Sequence, residues 1–393
     1  TCALPIWLGQ PDVALLCALR GFNLAAASAD DAACADFHAA LSFLLAFTPL
    51  GEHALRCLPA PRPAHPTPGM QDDPRRIIER QRAEALIHLS QTRVSAALTC
   101  ATAAVRGAHE SGDELLQLSS LLALQLVRTS CDEYAAVLEL SQEMESLATR
   151  AGNPTYLALA LAGQAGALLR LSRFPEAEAL LARTVDLLAT DPGPIITALV
   201  LGLRALCAHR LGDQARAESL AAATLTTVER ARFDLVDLRF PLTCALEVFL
   251  GAPRPADHLP LVRPALARLR RLSRRSAIAA PNAWLYQARC DLLHGAQRGG
   301  APFVERRPLR AYLALRRSIT AAQRLPPQAG RQDLATAHYW LGVFACSAAG
   351  RVLTAAGLLA EGPRPHLEAA RALCESLGAT WDAGRASEAL AMI

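Results

Sequence analysis

Two stretches, HESGDELLQLSSLLAL (His109–Leu124) and TRAGNPTYLALALAG (Thr149–Gly163), carry the same punctuation 40 residues apart, with Gly112 and Gly152 in equivalent places. In each, one amphipathic run stops, a short polar turn follows and a second apolar run begins. Glycine accepts the left-handed backbone that ends a helix, and Asn or Pro just beyond it starts the next. A looser copy, LATDPGPIITALVLG (Leu188–Gly202), follows one period later, with Pro192 where the glycine would stand. The spacing predicts helices, and their recurrence predicts a repeat.

Within one repeat two helices are legible. Leu157, Ala160, Leu161, Ala165 and Leu168 follow the rhythm of one buried helical face. LSRFPEAEALL (Leu171–Leu181) then opens a second helix, with Ala177, Leu180, Leu181 and Leu188 on its inner side. LGDQARAESLA (Leu211–Ala221) repeats that link, and Ala217 lies 40 residues after Ala177.

Composition agrees with a helical chain. Of 393 residues, 52% are hydrophobic, only 5% aromatic and 19% charged, with Ala and Leu dominant. All 40 cations are Arg. Without Lys, a Schiff-base lysine, a Ser-x-x-Lys pair and a Gly-Lys-Ser/Thr phosphate loop are excluded within this chain. The 11 cysteines form no C-x-x-C pair and read as reduced core thiols, Cys100, Cys207 and Cys374 among them, which points to a cytoplasmic protein. The apolar run TYLALALAGQAGALL (Thr155–Leu169) falls short of the ~20 residues of a membrane span.

The link L-[SG]-[RD]-[FQ]-x-[ER]-A resembles the turn between the two helices of a tetratricopeptide repeat, stretched beyond that family's usual length. HLEAARALCESLGATWDAGRASEAL (His366–Leu390) resembles the last repeat of the helical tail of bacterial STAND-type ATPase regulators. These include LuxR/MalT-like activators and cyclase- or kinase-linked ATPases. The resemblance covers residues 80 to 391 in style and three segments in motif. It implies an all-α fold of antiparallel helix pairs stacked as a TPR-like α-solenoid, a right-handed superhelix. It further implies a non-catalytic region that senses a protein, peptide or small effector in its concave groove, without a cofactor or metal. An ATPase domain would lie upstream, and a cyclase, kinase or DNA-binding output elsewhere.

Other divisions follow from composition. Residues 59–74 read as a Pro-rich linker around PAPRPAHPTPG, separating a helical segment of uncertain status, 8–58, from the repeats of 75–391. An irregular break is expected at 295–308. Within Thr1–Trp7, TCALPIW, Thr1–Ile6 and the first base of Trp7 can be back-translated as ACG TGT GCT CTT CCG ATC T, which resembles a sequencing-library adapter; the expectation is an artefact at the head of a fragment. The first methionine is Met70, the start expected of a free-standing adaptor.

Candidate chemistry is sparse. His109-Glu110-Ser111-Gly112-Asp113 has hydrolase residue types, but neighbours on a helix point apart, so a helix-end turn is expected. The ten histidines offer no pair at metal-ligand spacing, and His88, His209 and His294 fall near helix ends or on helical faces. Gly163-Gln-Ala-Gly166 lacks the preceding strand of a dinucleotide fingerprint. An all-helical enzyme would need buried acids or histidines converging from several helices.

Charge is the strongest remaining signal. From Arg263 to Arg317 there are 13 Arg against Asp291 and Glu305, so the net +4 of the chain conceals a polarised molecule. In LVRPALARLRRLSRR, Val262, Ala265, Leu266, Leu269 and Leu272 form an apolar stripe, with Arg263, Arg268, Arg270, Arg271, Arg274 and Arg275 on the other faces. Arg306, Arg307, Arg310, Arg316 and Arg317 extend the basic region. Such a run is ordinarily a solvated face. The alternative is a docking surface for an acidic protein, nucleic acid or a lipid headgroup. Nucleic acid is the weakest of these, because the stretch lacks interleaved aromatics.

Overall fold

The computed structural model describes residues 11–27, 74–188, 193–231, 238–296, 306–359 and 361–393. Thr1–Trp7, most of 8–58, the linker up to residue 73 and residues 297–305 of the expected break lie outside the described residues. Every described element is helical, with no strand among the described residues. Helix α1 is Pro11–Ala27; α2 Pro74–Ser90 and α3 Val94–Ser111 follow; then come α4 Glu114–Ser130, α5 Tyr134–Arg150, α6 Pro154–Arg170, α7 Phe174–Leu188, α8 Pro194–Arg210 and α9 Gln214–Arg230. The C-terminal half holds α10 Arg239–Gly251, α11 Leu259–Arg275, α12 Ala280–Ala296, α13 Arg306–Gln323, α14 Arg331–Cys346, α15 Ala348–Ala355, α16 Pro363–Ser376 and α17 Thr380–Ala391. Arg306–Pro308, expected as irregular chain, already belong to α13.

The 40-residue period is a period of helix ends. Gly112 and Gly152 adopt φ of 69° and 59° between α3 and α4 and between α5 and α6. Midway between them in the period, Thr92, Asp132 and Ser172 take φ of 61°, 58° and 63°, with Gly212 at 87° in the fourth turn. These turns are closed by backbone bonds reaching back five residues: Arg93 N–H to His88 O, Glu133 to Arg128, Arg173 to Leu168, and Asp213 to Ala208. Such closure holds a non-glycine in the left-handed region against its steric cost. Starts are as regular: Asp113 and Asp213 side chains accept from backbone N–H groups of α4 and α9, and Pro154 and Pro194 open α6 and α8.

Packing runs along the chain. Leu118, Leu121, Met144, Leu147, Leu159 and Ile196 form one cluster, and Leu168, Leu181, Leu203 and Cys207 form the next. Ala217, Leu242, Phe249, Val262, Leu269 and Tyr286 continue it, and Leu285, Leu315, Leu341 and Phe344 complete it. The expected stripe on α11, Val262 to Leu272, is buried throughout. Helix α6 departs from a single buried face: Ala158–Ala162 are all buried, so α6 is covered nearly all round, while Leu157 is only half-buried. Burying Gln164 of α6 requires partners, and its amide donates to Glu145 Oε2 at 2.6 Å. Close approach needs small residues here, since a Cβ at Gly202 would stand 2.9 Å from Pro241 Cα.

The C-terminal third does not simply continue outward. Ile278, Leu325 and Ala329 share an apolar cluster with Ala85, Val94, Val127 and Cys131 of α2–α4 and the turn that follows. Gln332 N–H donates to Asp132 Oδ2 at 3.2 Å, and Trp381 N–H to Ser172 Oγ at 2.9 Å, each across some 200 residues of chain. Helices α14 and α17 therefore sit against the turns of the early helices.

Candidate functional site

Where the late helices meet the early ones, arginines, acids and aromatic rings gather. Arg170 and Arg210 are the last residues of α6 and α8. Glu247, on α10, forms an ion pair with Arg289 of α12 and lies 4.0 Å from Arg210 Nη2. Tyr286 O–H donates to the same carboxylate at 3.4 Å. Burial opposes the charge of Glu247, but Arg289, Arg210 and Arg385 outweigh it and hold its pKa down to about 2. It is a fixed anion.

Helix α17 supplies the other side. The Trp381 ring lies under the Arg210 guanidinium at 3.7 Å, with Arg385 at 4.7 Å. Asp382 stands 3.9 Å from Arg210 and 3.8 Å from Arg385, and Gln332 Nε2 donates to it at 3.4 Å. Arg385 is also over Tyr339, and Arg289 over Trp340 at 4.2 Å. Phe174 meets Trp381 edge-on at 6.1 Å between ring centres. Aromatic residues are 5% of the chain, yet two of its four Trp converge here. Guanidinium on ring faces is favourable, more so when shielded from water.

Beside this network is a cleft with about 20 Å³ of room, lined by Asp132, Tyr134, Arg170, Arg239, Gln332 and Asp333. Tyr134 O–H donates to Asp132 Oδ1 at 2.6 Å; Asn282 and Arg239 donate to Asp333 Oδ2 at 3.0 and 3.3 Å. Burial raises the pKa of Asp333 despite Arg239. Arg170 makes no ion pair or hydrogen bond with another described residue; its guanidinium sits 5.7 Å from the Phe240 ring centre. Room of this size suits about one or two waters.

The sequence-derived candidates fall elsewhere. Arg268 is half-buried and donates to Val228 O at 2.6 Å and Ala231 O at 2.7 Å, closing the end of α9; it is a structural cap, not a free surface cation. Arg263, Arg270, Arg271, Arg274 and Arg275 are exposed on α11. Arg310, Arg316 and Arg317 are exposed on α13, Arg307 is half-buried, and the side chain of Arg306 lies outside the described residues. The two basic segments meet on α12, where Arg270 donates to Gln287 at 3.2 Å and Arg317 covers the Trp284 ring at 4.9 Å. Arg316 donates to Tyr312 O–H at 3.0 Å. His109–Asp113 is a helix end, and Gly163–Gly166 lies inside α6.

No group of three His, Cys, Asp or Glu side chains able to hold a metal occurs among the described residues. Buried free thiols are pushed up to about 12 at Cys131, Cys207, Cys290 and Cys374, mainly by burial, so they stay protonated. No helix among the described residues is long and apolar enough to cross a membrane.

A histidine pair that linear spacing could not reveal links α14 and α16. His338 and His366 bring their Nδ1 atoms to 3.0 Å, with Glu361 on His366 Nε2 at 3.4 Å and Arg316 nearby. Burial lowers both pKa values, His338 to about 4. A base depressed in the folded state stabilises it above the ordinary histidine range and loses that contribution as pH falls through 6.5 toward about 4. The urea midpoint of the wild type should accordingly fall between pH 6.5 and 5, and His338→Leu should flatten that part of the profile.

Comparison with known proteins adds no relationship: no protein-family model matches the chain, and no curated protein matches it. The described residues define an all-helical protein.

Proposed function

We propose that this chain is a non-catalytic, protein-interaction or effector-sensing helical-repeat region of a bacterial signalling or transcriptional regulator. Its helices pair antiparallel and stack as a TPR-like α-solenoid, the arrangement to which the 40-residue recurrence of left-handed turns lends support. The observation that carries the reading is the exposed, arginine-rich face of α11 and α13, with Arg270, Arg274, Arg275 and Arg310 open to solvent and Arg a residue type enriched at interfaces. Glu247, the central carboxylate of the inner network, favours charge pairing over proton transfer, since it stays ionised far below neutral pH. The basic face of α11–α13 receives an anionic partner.

The genomic reading frame upstream of Met70 provides the test. A continuous frame encoding G-x-x-x-x-G-K-[ST] is the expected result for a STAND-type regulator; a start at Met70 preceded by a stop codon would make the chain a free-standing adaptor. A second reading, an all-helical enzyme, draws on the convergence of Asp132 and Asp333 beside Arg170 in one cleft. Its test is turnover of a small-molecule panel that Asp333→Asn abolishes.

A further inference from the structure

The basic face has a counterpart on the same chain. Residues 109–145 hold eight acids against one cation, Arg128, and Arg128 is paired with Glu133. Glu110, Glu114 and Glu139 are exposed and make no ion pair with a described cation, and Glu143 faces only His109 at 3.2 Å. These residues lie at the end of α3, the start of α4 and on α5. On the other face, Arg274, Arg275 and Arg310 are exposed with no carboxylate partner among the described residues. Arg317 stacks on the Trp284 ring of α12, the helix whose Gln287 accepts from Arg270. Among the described residues no ion pair joins an acid of α3–α5 to an arginine of α11–α13, so these exposed charges are not neutralised by one another within one chain.

We infer that the basic face of α11–α13 docks the acidic face of α3–α5 of a second copy of this chain, head to tail. The inference rests on the reading of α11–α13 as an anion-docking face and names the partner. A basic face meeting a different, acidic face makes a heterologous contact, which extends into rings or filaments rather than stopping at a symmetric pair. Exposed charge steers such an encounter and is screened by salt, while Arg beside Trp supplies the contact chemistry.

Sedimentation velocity on the purified chain tests it. The expected result is a weight-average mass above 41.9 kDa at low salt, with association weakened roughly ten-fold or more when salt rises from about 50 to about 500 mM. A basic-face variant (Arg270→Glu, Arg274→Glu, Arg275→Glu, Arg310→Glu) and an acidic-face variant (Glu110→Arg, Glu114→Arg, Glu139→Arg) should each be monomeric alone. Mixed, they should associate again, because each reversed face then meets its complement; recovery on mixing also shows that both variants are folded. A wild type that stays monomeric at both salts, or variants that fail to recover while retaining wild-type circular dichroism, overturns self-docking. In that event a polyglutamate peptide and a single-stranded oligonucleotide are titrated against the wild type. Binding of the peptide alone leaves the anion-docking reading standing without self-docking, preference for the oligonucleotide replaces the partner, and binding of neither overturns both.

Discussion

Glu247→Ala should destabilise the folded chain by about 3–5 kcal/mol, the cost of leaving a buried cation without its counter-charge. Arg289, with 4% side-chain exposure, loses its ion pair, and Arg210 loses a neighbour at 4.0 Å. The double variant Glu247→Leu, Arg289→Met should recover most of that loss, since an apolar pair of similar volume carries no desolvation penalty. Urea unfolding of the three proteins measures this; a double variant no more stable than Glu247→Ala would show that the cost does not come from leaving Arg289 without its counter-charge. The same carboxylate has a pH signature. Because its folded pKa is depressed to about 2, its contribution is complete above its ordinary value of 4.5 and is lost as pH falls from there toward 2.

Trp381→Ala should cost about 2–4 kcal/mol, toward the lower end for a large aromatic because the residue is only half-buried. It removes the ring beneath Arg210, the ring beneath Arg385 and the edge contact with Phe174. The expected loss is localised. Amide exchange should accelerate in α17 and in the Ser172 turn that receives Trp381 N–H, while α4–α6 keep their protection. Exchange that rises evenly over the whole chain would mean that Trp381 supports the common core rather than the docking of α17.

Much of the local structure was readable from particular residues. Gly112 and Gly152 mark helix ends because no other residue enters the left-handed region so cheaply, and both do so. The alternate turns at Asp132 and Ser172 carry no such mark; their backbone is held by bonds to Arg128 and Leu168, which are visible only once the helix is built. The apolar stripe of α11 was legible because burial there repeats with the helical period. On α6 the expected Ala160, Leu161, Ala165 and Leu168 are buried, but Leu157 is not fully so and other faces are buried too, since a helix covered nearly all round shows no polar face to set its phase. Arg268 read as one more surface cation because the carbonyls it closes lie some 40 residues earlier. Arg170 and Arg210, one period apart at the ends of their helices, are a sequence trace of the inner network, as are Trp381, Asp382 and Arg385 within the C-terminal stretch.

The sequence by itself determined the helical class, the glycine-marked helix ends, the 40-residue period, the polarity of charge and the absence of lysine chemistry. These depend on backbone preference and on side chains within one or two turns, where spacing is geometry. Only the tertiary structure decided that Glu247, Arg210, Asp382 and Trp381 share one site, that His338 meets His366, and that Arg270 and Arg317 flank Trp284 and Gln287 of one helix. Those meetings depend on how each helix is oriented against its neighbours. Small rotations accumulate over hundreds of residues, and no local pattern records their sum.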